Sequence, residues 1–249
     1  MDNDFNYLFS ILFNYNSKKS NKDVVTFDLD YAEDVVSYLH ANGQKAVCYF
    51  SGGTTEYRSD RQDYEDAGVV IHDDIDDGWG NYWLDVRMKD KLQPLIKKRF
   101  QRAYSYGCDA VEIDCIDIYQ FRSEFTKEDS YVFAKWVAET GHEVNISVGL
   151  KNVSSLASRL EPYYDFAVVE SCAGYTNECD RFKVFTDNSK AVFIVHYGNY
   201  GWDLSSSSKL ATLIKEQSDR KFTCVISPHI YLRDHSINYN CNTGAVIGN

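Results

Sequence analysis

Short apolar runs alternate with longer amphipathic stretches along most of this chain. Eight runs read as strands: residues 9–13, 24–28, 45–51, 110–114, 144–149, 166–170, 191–197 and 223–227. Most are rich in Val, Ile and Phe, as expected of strands covered on both faces. Between them lie stretches with apolar residues at helical spacing. Residues 33–41 stop before Gly43. Residues 90–106 carry Leu92, Leu95, Ile96, Phe100 and Ala103 along one side and stop at Gly107. Thr126-Lys-Glu-Asp129 reads as a capping box opening a helix that ends near Gly141. Residues 153–160, 178–186 and 206–218 complete the series. Eight strands with helices between them predict an α/β chain folded as a (β/α)8 TIM barrel, one domain over residues 1–249. A doubly wound sheet is the alternative, but no Gly-rich phosphate turn marks one.

One strand departs from the apolar pattern. In Ala110-Val-Glu-Ile-Asp114 the period of two puts Val111 and Ile113 on one face and Glu112 and Asp114 on the other. Two acids on one face of a central strand are costly to bury, so they need partners or a task. Glu170 ends the sixth run as Asp114 ends the fourth. If both faces point inward, the two carboxylates meet at the C-terminal mouth of the barrel, where such folds place their active sites. A facing carboxylate pair suits glycoside hydrolysis: one acid attacks or stabilises the cationic sugar carbon, the other protonates the leaving oxygen. Plain ion pairing is the competing explanation. Lys151, after the fifth run, is the obvious partner for Glu112 and Asp114, and ion pairs also fill barrel mouths. Asp117 lies past the strand end and receives no catalytic role.

Other polar groups collect at strand ends: Asp28, Ser51 with Glu56, Arg58 and Asp60 beyond it, Asn152, and His196-Tyr197. A lone His there is read as a hydrogen-bonded lining residue. Residues 52–89 form a long polar and aromatic insert after the third run, a length that suits a functional loop. Residues 73–78 fail as a calcium loop, since Ile75 and Leu84 occupy ligand positions. No His, Asp and Glu cluster has metal spacing, and no G-x-S-x-G serine motif occurs. Neither a metal nor a cofactor is expected.

Charge and cysteine content narrow the partners. The formal net charge is −11, which argues against nucleic acid and anionic membranes and is compatible with a cationic ligand. No apolar run is long enough to span a bilayer, and no secretory signal is visible at the N-terminus. Of seven cysteines, none forms a CxxC pair. Cys172 and Cys179 flank a short polar loop and suit a small disulfide. Cys48 and Cys224 sit in apolar strands and read as buried thiols.

The chain resembles glycoside hydrolase family 114, the endo-α-1,4-polygalactosaminidases. The matching pieces run in order: Val24-Val-Thr-Phe-Asp28, Cys48-Tyr-Phe50, Gly53 with Glu56-Tyr-Arg58-Ser-Asp60, Gly78-Trp79, Trp83-Leu-Asp-Val-Arg87, Val111-Glu-Ile-Asp114-Cys-Ile-Asp117, Gly149-Leu-Lys-Asn152 and Val169-Glu-Ser-Cys172. The resemblance implies a (β/α)8 barrel and Asp114 with Glu170 as the catalytic pair. It also implies retaining cleavage of α-1,4-linked galactosamine or N-acetylgalactosamine, and a secreted or cell-surface location. Asp114 is then the expected nucleophile and Glu170 the acid/base, roles that are open to exchange. Asp28, Arg58, Glu112, Lys151, Asn152, His196 and Tyr197 are expected to position substrate. Trp79, Trp83 and Tyr119 are stacking candidates, with core packing as the alternative for each. The expected partner is a polysaccharide, cationic if deacetylated, and the expected state a monomer. Three positions depart from the family pattern: residues 9–13 replace a Trp-rich strand, His196 an acid, and Cys115 the usual Asn. They leave room for a second function, a non-catalytic carbohydrate-binding barrel of a cell or spore coat. A third is an intracellular enzyme with another substrate.

Overall fold

A computed structural model of the chain describes residues 7–9, 17–73, 77–230 and 236–247. Eight parallel strands run in sequence order around one curled sheet: β1 Tyr7–Phe9, β2 Val24–Asp28, β3 Lys45–Ser51, β4 Ala110–Asp114, β5 Ser147–Lys151, β6 Phe166–Glu170, β7 Ala191–Tyr197 and β8 Thr223–Ser227. The chain is a TIM-type barrel, and β1 approaches β8. A ninth strand, β9 Ile237–Tyr239, pairs antiparallel with the free edge of β8. The Cys224–Cys241 disulfide ties its far end back to β8.

The helices fall close to their expected places: α1 Ala32–Ala41, α2 Arg61–Asp66, α3 Lys89–Tyr106, α4 Lys127–Glu143, α5 Ala157–Leu160, α6 Lys183–Asp187 and α7 Ser207–Gln217. Thr126 makes the expected capping box with Asp129. Helix α2 lies inside the long insert. The first strand ends at Phe9, and residues 10–13 of its expected span lie outside the described residues.

The fifth strand starts three residues later than its pattern indicates. Gly141 does not stop α4, which runs on to Glu143. A Cβ at Gly141 would stand 2.4 Å from Val148 Cγ2 and 2.9 Å from the Phe100 ring. Gly141 is therefore a point of close helix–strand approach, and the turn falls instead at Asn145, which has φ 61°. The shift places Lys151 inside β5 rather than beyond it.

Strand parity divides the apolar residues into two cores. Outward residues such as Val25, Phe27, Phe50, Val111, Ile113, Val148, Leu150 and Ile194 pack under the helices. Inward residues Val47, Ala110, Phe166, Val168, Phe193, Val195, Tyr197 and Val225 fill the barrel. At Gly149 a Cβ would lie 2.3 Å from the Phe166 ring, so this glycine admits the ring to the interior layer. The polar residues Tyr49, Glu112, Lys151 and Glu170 belong to the same inward rows, two residues beyond Val47, Ala110, Gly149 and Val168 toward the C-terminal mouth.

Candidate active site

The inward rows end in a charged constellation. Lys151 and Glu112 are both fully buried and pair at 2.7 Å. The same ammonium lies 4.0 Å from Asp114 Oδ2 and 3.7 Å from Glu170 Oε1. Three carboxylates thus share one cation. The Tyr49 hydroxyl donates to Asp114 Oδ2 at 2.9 Å, and the Cys115 N–H donates to Oδ1 at 2.8 Å. The Tyr197 hydroxyl donates to Glu170 Oε1, and Asn152 Nδ2 donates to Oε2 at 3.0 Å. The Glu170 N–H in turn donates to Asn152 Oδ1 at 2.9 Å, which fixes that amide's orientation.

Burial raises the carboxyls' proton affinity and Lys151 lowers it, to different extents. Burial pushes Glu112 up to about 7 despite its ion pair. Asp114 is raised by burial and by the Glu170 charge, against the pull of Lys151. For Glu170, burial is outweighed by Lys151 and by the Tyr197 and Asn152 donors, and its pKa lies below the ordinary value. The pair's proton affinities are therefore moved apart, Asp114 upward and Glu170 downward. Two neighbouring acids with proton affinities moved apart are the electrostatic preparation that acid/base chemistry needs.

The backbone beyond these strands is unusual. Cys115, Asn152 and Ser171 directly follow Asp114, Lys151 and Glu170, and their φ values are all 54°. Val153 follows with φ 59°. Left-handed backbone at non-glycine residues, above all a β-branched one, is a strained conformation associated with functional sites. Three such turns around one cleft aim the strand-end side chains into it. Gly53 supports the first from the side: a Cβ there would fall 1.9 Å from the Cys115 carbonyl oxygen.

A second cluster holds the rim. Arg58 grips Asp28 in a fork at 2.6 and 2.6 Å, reaches Glu56 at 2.6 Å, and donates to the Tyr49 carbonyl at 3.2 Å. Arg99, buried on α3, grips Asp60 at 2.8 and 2.9 Å and Glu56 at 3.1 Å. Glu56 also accepts the Ser51 N–H at 2.9 Å. These bonds pin the start of the long insert to the ends of β2 and β3.

The cleft above has a volume of about 440 Å³. Its lining includes Asp28, Tyr49, Arg58, Asp114, Asn152 and Glu170, together with Trp79 and the edge of the buried Trp83. Glu112 and Lys151 lie beneath it as the support of the pair. Tyr197 contacts Glu170 directly. Tyr119 does not reach the cleft lining; its hydroxyl lies 2.6 Å from Ser155 Oγ. His196 does not either. As the neighbour of inward Tyr197 it points outward, is fully buried, and packs edge-on to Trp202. Its Nε2 accepts the Ala173 N–H at 3.2 Å, and burial lowers its pKa to about 3. It is a neutral core histidine. Parity with Val195 and Tyr197 was the signal for this.

Tyr49, Glu56 and Asp117 are members of the site beyond the expected set. Asp117 lines the cleft and accepts from Gln120 Nε2 at 2.8 Å. Burial and the Asp114 charge push it up to about 7. The cysteines differ from expectation too. Cys48 and Cys224 are not free thiols: Cys48 bonds Cys108 across the β3–β4 edge, and Cys224 bonds Cys241. Cys172 bonds Cys179 as its loop suggests, and Cys115 is free.

A TIM-type barrel with an Asp and a Glu around one buried ammonium, at the C-terminal ends of strands four and six, has the architecture of a glycoside hydrolase. The chain belongs to glycoside hydrolase family GH114, whose profile matches residues 2–244. Among solved structures it is similar to Aspergillus fumigatus Ega3 in complex with galactosamine, with 25% identity and a TM-score of 0.75 over 93% of this chain and 92% of that one. It also shares its fold with the glycoside hydrolase domain of PelA from Pseudomonas aeruginosa, with 14% identity and a TM-score of 0.64 over 92% and 96% of the two chains. A search of curated protein sequences gave no match. Among the described residues no helix is long and apolar enough to cross a membrane.

Proposed function

We propose that this chain is a retaining endo-hydrolase of α-1,4-linked galactosamine and N-acetylgalactosamine polysaccharide. Asp114 is the nucleophile and Glu170 the acid/base. The observation that carries the reading is the single ammonium of Lys151 within 4.0 Å of both carboxylates. A retaining reaction needs one net negative charge that changes places: on the nucleophile before attack, on the acid/base after it gives up its proton. A cation close to both oxygens stabilises either arrangement. In the folded protein the proton affinity of Asp114 is raised and that of Glu170 lowered, the reverse of the order these roles need at the moment of attack, so bound substrate has to invert it.

The cleft supports a cationic substrate. Asp28 and Glu56 are neutralised by arginines, but Asp77 and Asp117 line the cleft with no Lys, Arg or His within 4.0 Å among the described residues. The similar Ega3 structure holds galactosamine. Three disulfides support an oxidising compartment, hence a secreted or surface-attached enzyme, and weigh against an intracellular one.

The test is digestion of acetylated and deacetylated α-1,4-galactosaminan with anomer-resolved product analysis. Oligosaccharides released first as the α-anomer support the proposal. First-formed β-anomer would overturn retention. Tight binding without product over long incubation would point to the carbohydrate-binding coat barrel instead.

A further inference from the structure

Two tripeptides of this chain have the form Asn-x-Ser with x other than proline: Asn145-Ile-Ser147 and Asn152-Val-Ser154. That form is the acceptor for an N-linked glycan in a chain that enters a secretory compartment. The three disulfides support such a compartment. Strand β5 separates the two tripeptides and carries them to opposite ends of the barrel. From Ser147 to Lys151 it covers about 13 Å at the usual strand rise.

The first tripeptide is open. Asn145 and Ser147 are both exposed, while Ile146 between them is buried in the core. Backbone bonds alone hold this turn: the Asn145 N–H donates to the His142 carbonyl at 2.9 Å, and the Ile146 N–H to the Gly141 carbonyl at 3.2 Å. Neither the Asn145 amide nor the Ser147 hydroxyl has a hydrogen-bond partner among the described residues. A sugar on Asn145 Nδ2 therefore breaks no bond of the fold. The φ of 61° at residue 145 accounts for an Asn in the turn, but it does not call for a hydroxyl at residue 147.

The second tripeptide is closed. Asn152 Nδ2 donates to Glu170 Oε2 at 3.0 Å, and the Ser154 hydroxyl donates to Glu178 Oε1 at 2.7 Å. Asn152 lines the cleft, so a sugar on its amide would stand against Glu170.

We propose that Asn145 is the acceptor for an N-linked glycan when this chain passes through a secretory pathway, and that Asn152 carries none in the folded protein. In the transfer, Asn145 Nδ2 attacks C1 of a lipid-diphosphate-linked oligosaccharide. The C1–N bond forms and the C1–O bond to the diphosphate breaks. The lipid diphosphate leaves with the electron pair, and Nδ2 gives up one proton to a base of the transferase. The glycan then covers the N-terminal face of the barrel, near the His142–Asp165 pair, and leaves the cleft at the other end open to a polymer. The inference rests on the secretory part of the proposed function and not on the reaction at Asp114 and Glu170.

The full chain is expressed in eukaryotic cells behind a cleavable secretory leader, and folded protein is purified. A glycan-releasing amidase in heavy-oxygen water then leaves a labelled Asp wherever a sugar was attached. Mass spectrometry should find the label at residue 145 in most molecules and none at residue 152. Asn145→Gln and Ser147→Ala should each abolish the label at 145, whereas Ser147→Thr should keep it. Ser147→Ala retains the left-handed Asn, so its loss of label does not come from a turn that fails to form. All three variants should keep the wild-type kcat/KM on galactosaminan, since the turn lies at the far end of the barrel. Folded protein without label at 145, or with label at 152, would overturn the proposal. Label in the leader-directed protein but none in protein from the natural source would overturn the secretory reading and leave the acceptor site standing.

Discussion

Two charged clusters lie side by side at the mouth of this barrel, and they are built on opposite plans. Around Arg58 and Arg99 the carboxylates of Asp28, Glu56 and Asp60 meet two guanidiniums in forked, fully bonded geometry. Around Lys151 three carboxylates compete for one ammonium, and only Glu112 holds it at hydrogen-bond distance. Arginine's planar fork suits permanent bidentate pairing, whereas a lysine is a point charge that several oxygens can share. The first cluster is saturated and holds the insert. The second is short of positive charge, and burial together with that shortage raises the proton affinity of Glu112 and Asp114.

The largest expected effect lies in the second cluster. Asp114→Asn and Glu170→Gln should each lower kcat by about a thousandfold or more, with melting temperatures at or slightly above wild type, because each removes a charge the cluster cannot fully neutralise. Added azide separates the roles. It should rescue Asp114→Asn with a glycosyl azide of inverted configuration and Glu170→Gln with a retained one. The opposite pattern would exchange the two residues, and full activity in either variant would remove that residue from the chemistry.

Next comes stability. Arg58→Met should cost about 3–5 kcal/mol, or about 10 °C in melting temperature, by stranding Asp28 and taking one of the two guanidiniums from Glu56. Adding Asp28→Asn should restore only a minor part, since Glu56 is left with Arg99 and the Ser51 N–H alone and the Tyr49 carbonyl has lost its guanidinium donor. Lys151→Met should also destabilise strongly, but adding Glu112→Gln should recover most of the loss while activity stays absent. If both double variants recover equally by thermal melting, the contrast between a holding cluster and a working one fails.

A smaller effect concerns pH. Asp117 titrates near 7 in the folded chain against an ordinary value of 3.8. Folding thus favours its protonated form. Its contribution is fully present below pH 3.8 and is lost as pH rises through about 7. Asp117→Asn should therefore gain about 1–2 kcal/mol over wild type between pH 5 and pH 8, discounted for partial solvent exposure. Glu112 moves in the same direction, so some slope should remain. Urea titrations at the two pH values check this; an unchanged difference would place Asp117 in an ordinary solvated setting.

The smallest effect is conformational. Cys115 has φ 54°, a conformation that Asn tolerates better than Cys. Cys115→Asn should stabilise by about 0.5–1 kcal/mol in a thermal melt. A loss would mean that the thiol's packing outweighs the backbone strain.

Much of this protein was legible in the chain. Parallel strands buried on both faces read as continuous apolar runs, so most of the barrel followed from local pattern alone. Asp114 and Glu170 were visible because a carboxylate is conspicuous on a Val- and Ile-rich strand, and the period of two assigned its face. The same parity would have turned His196 outward once Tyr197 was taken as inward. Other features had no local signal. Cys48 and Cys108 meet because β3 and β4 are neighbours, although the pair is 60 residues apart. Gly141 looks like a helix stop in sequence and becomes a contact glycine only when Val148 and Phe100 arrive beside it. Tyr49 and Glu56 take their roles from partners on other strands and loops. Lys151 is the clearest case. The sequence names it as a cation near a strand end. Only the curled sheet, with β5 between β4 and β6, decides that one ammonium is shared by three acids, because charge sharing depends on distances that chain order does not contain.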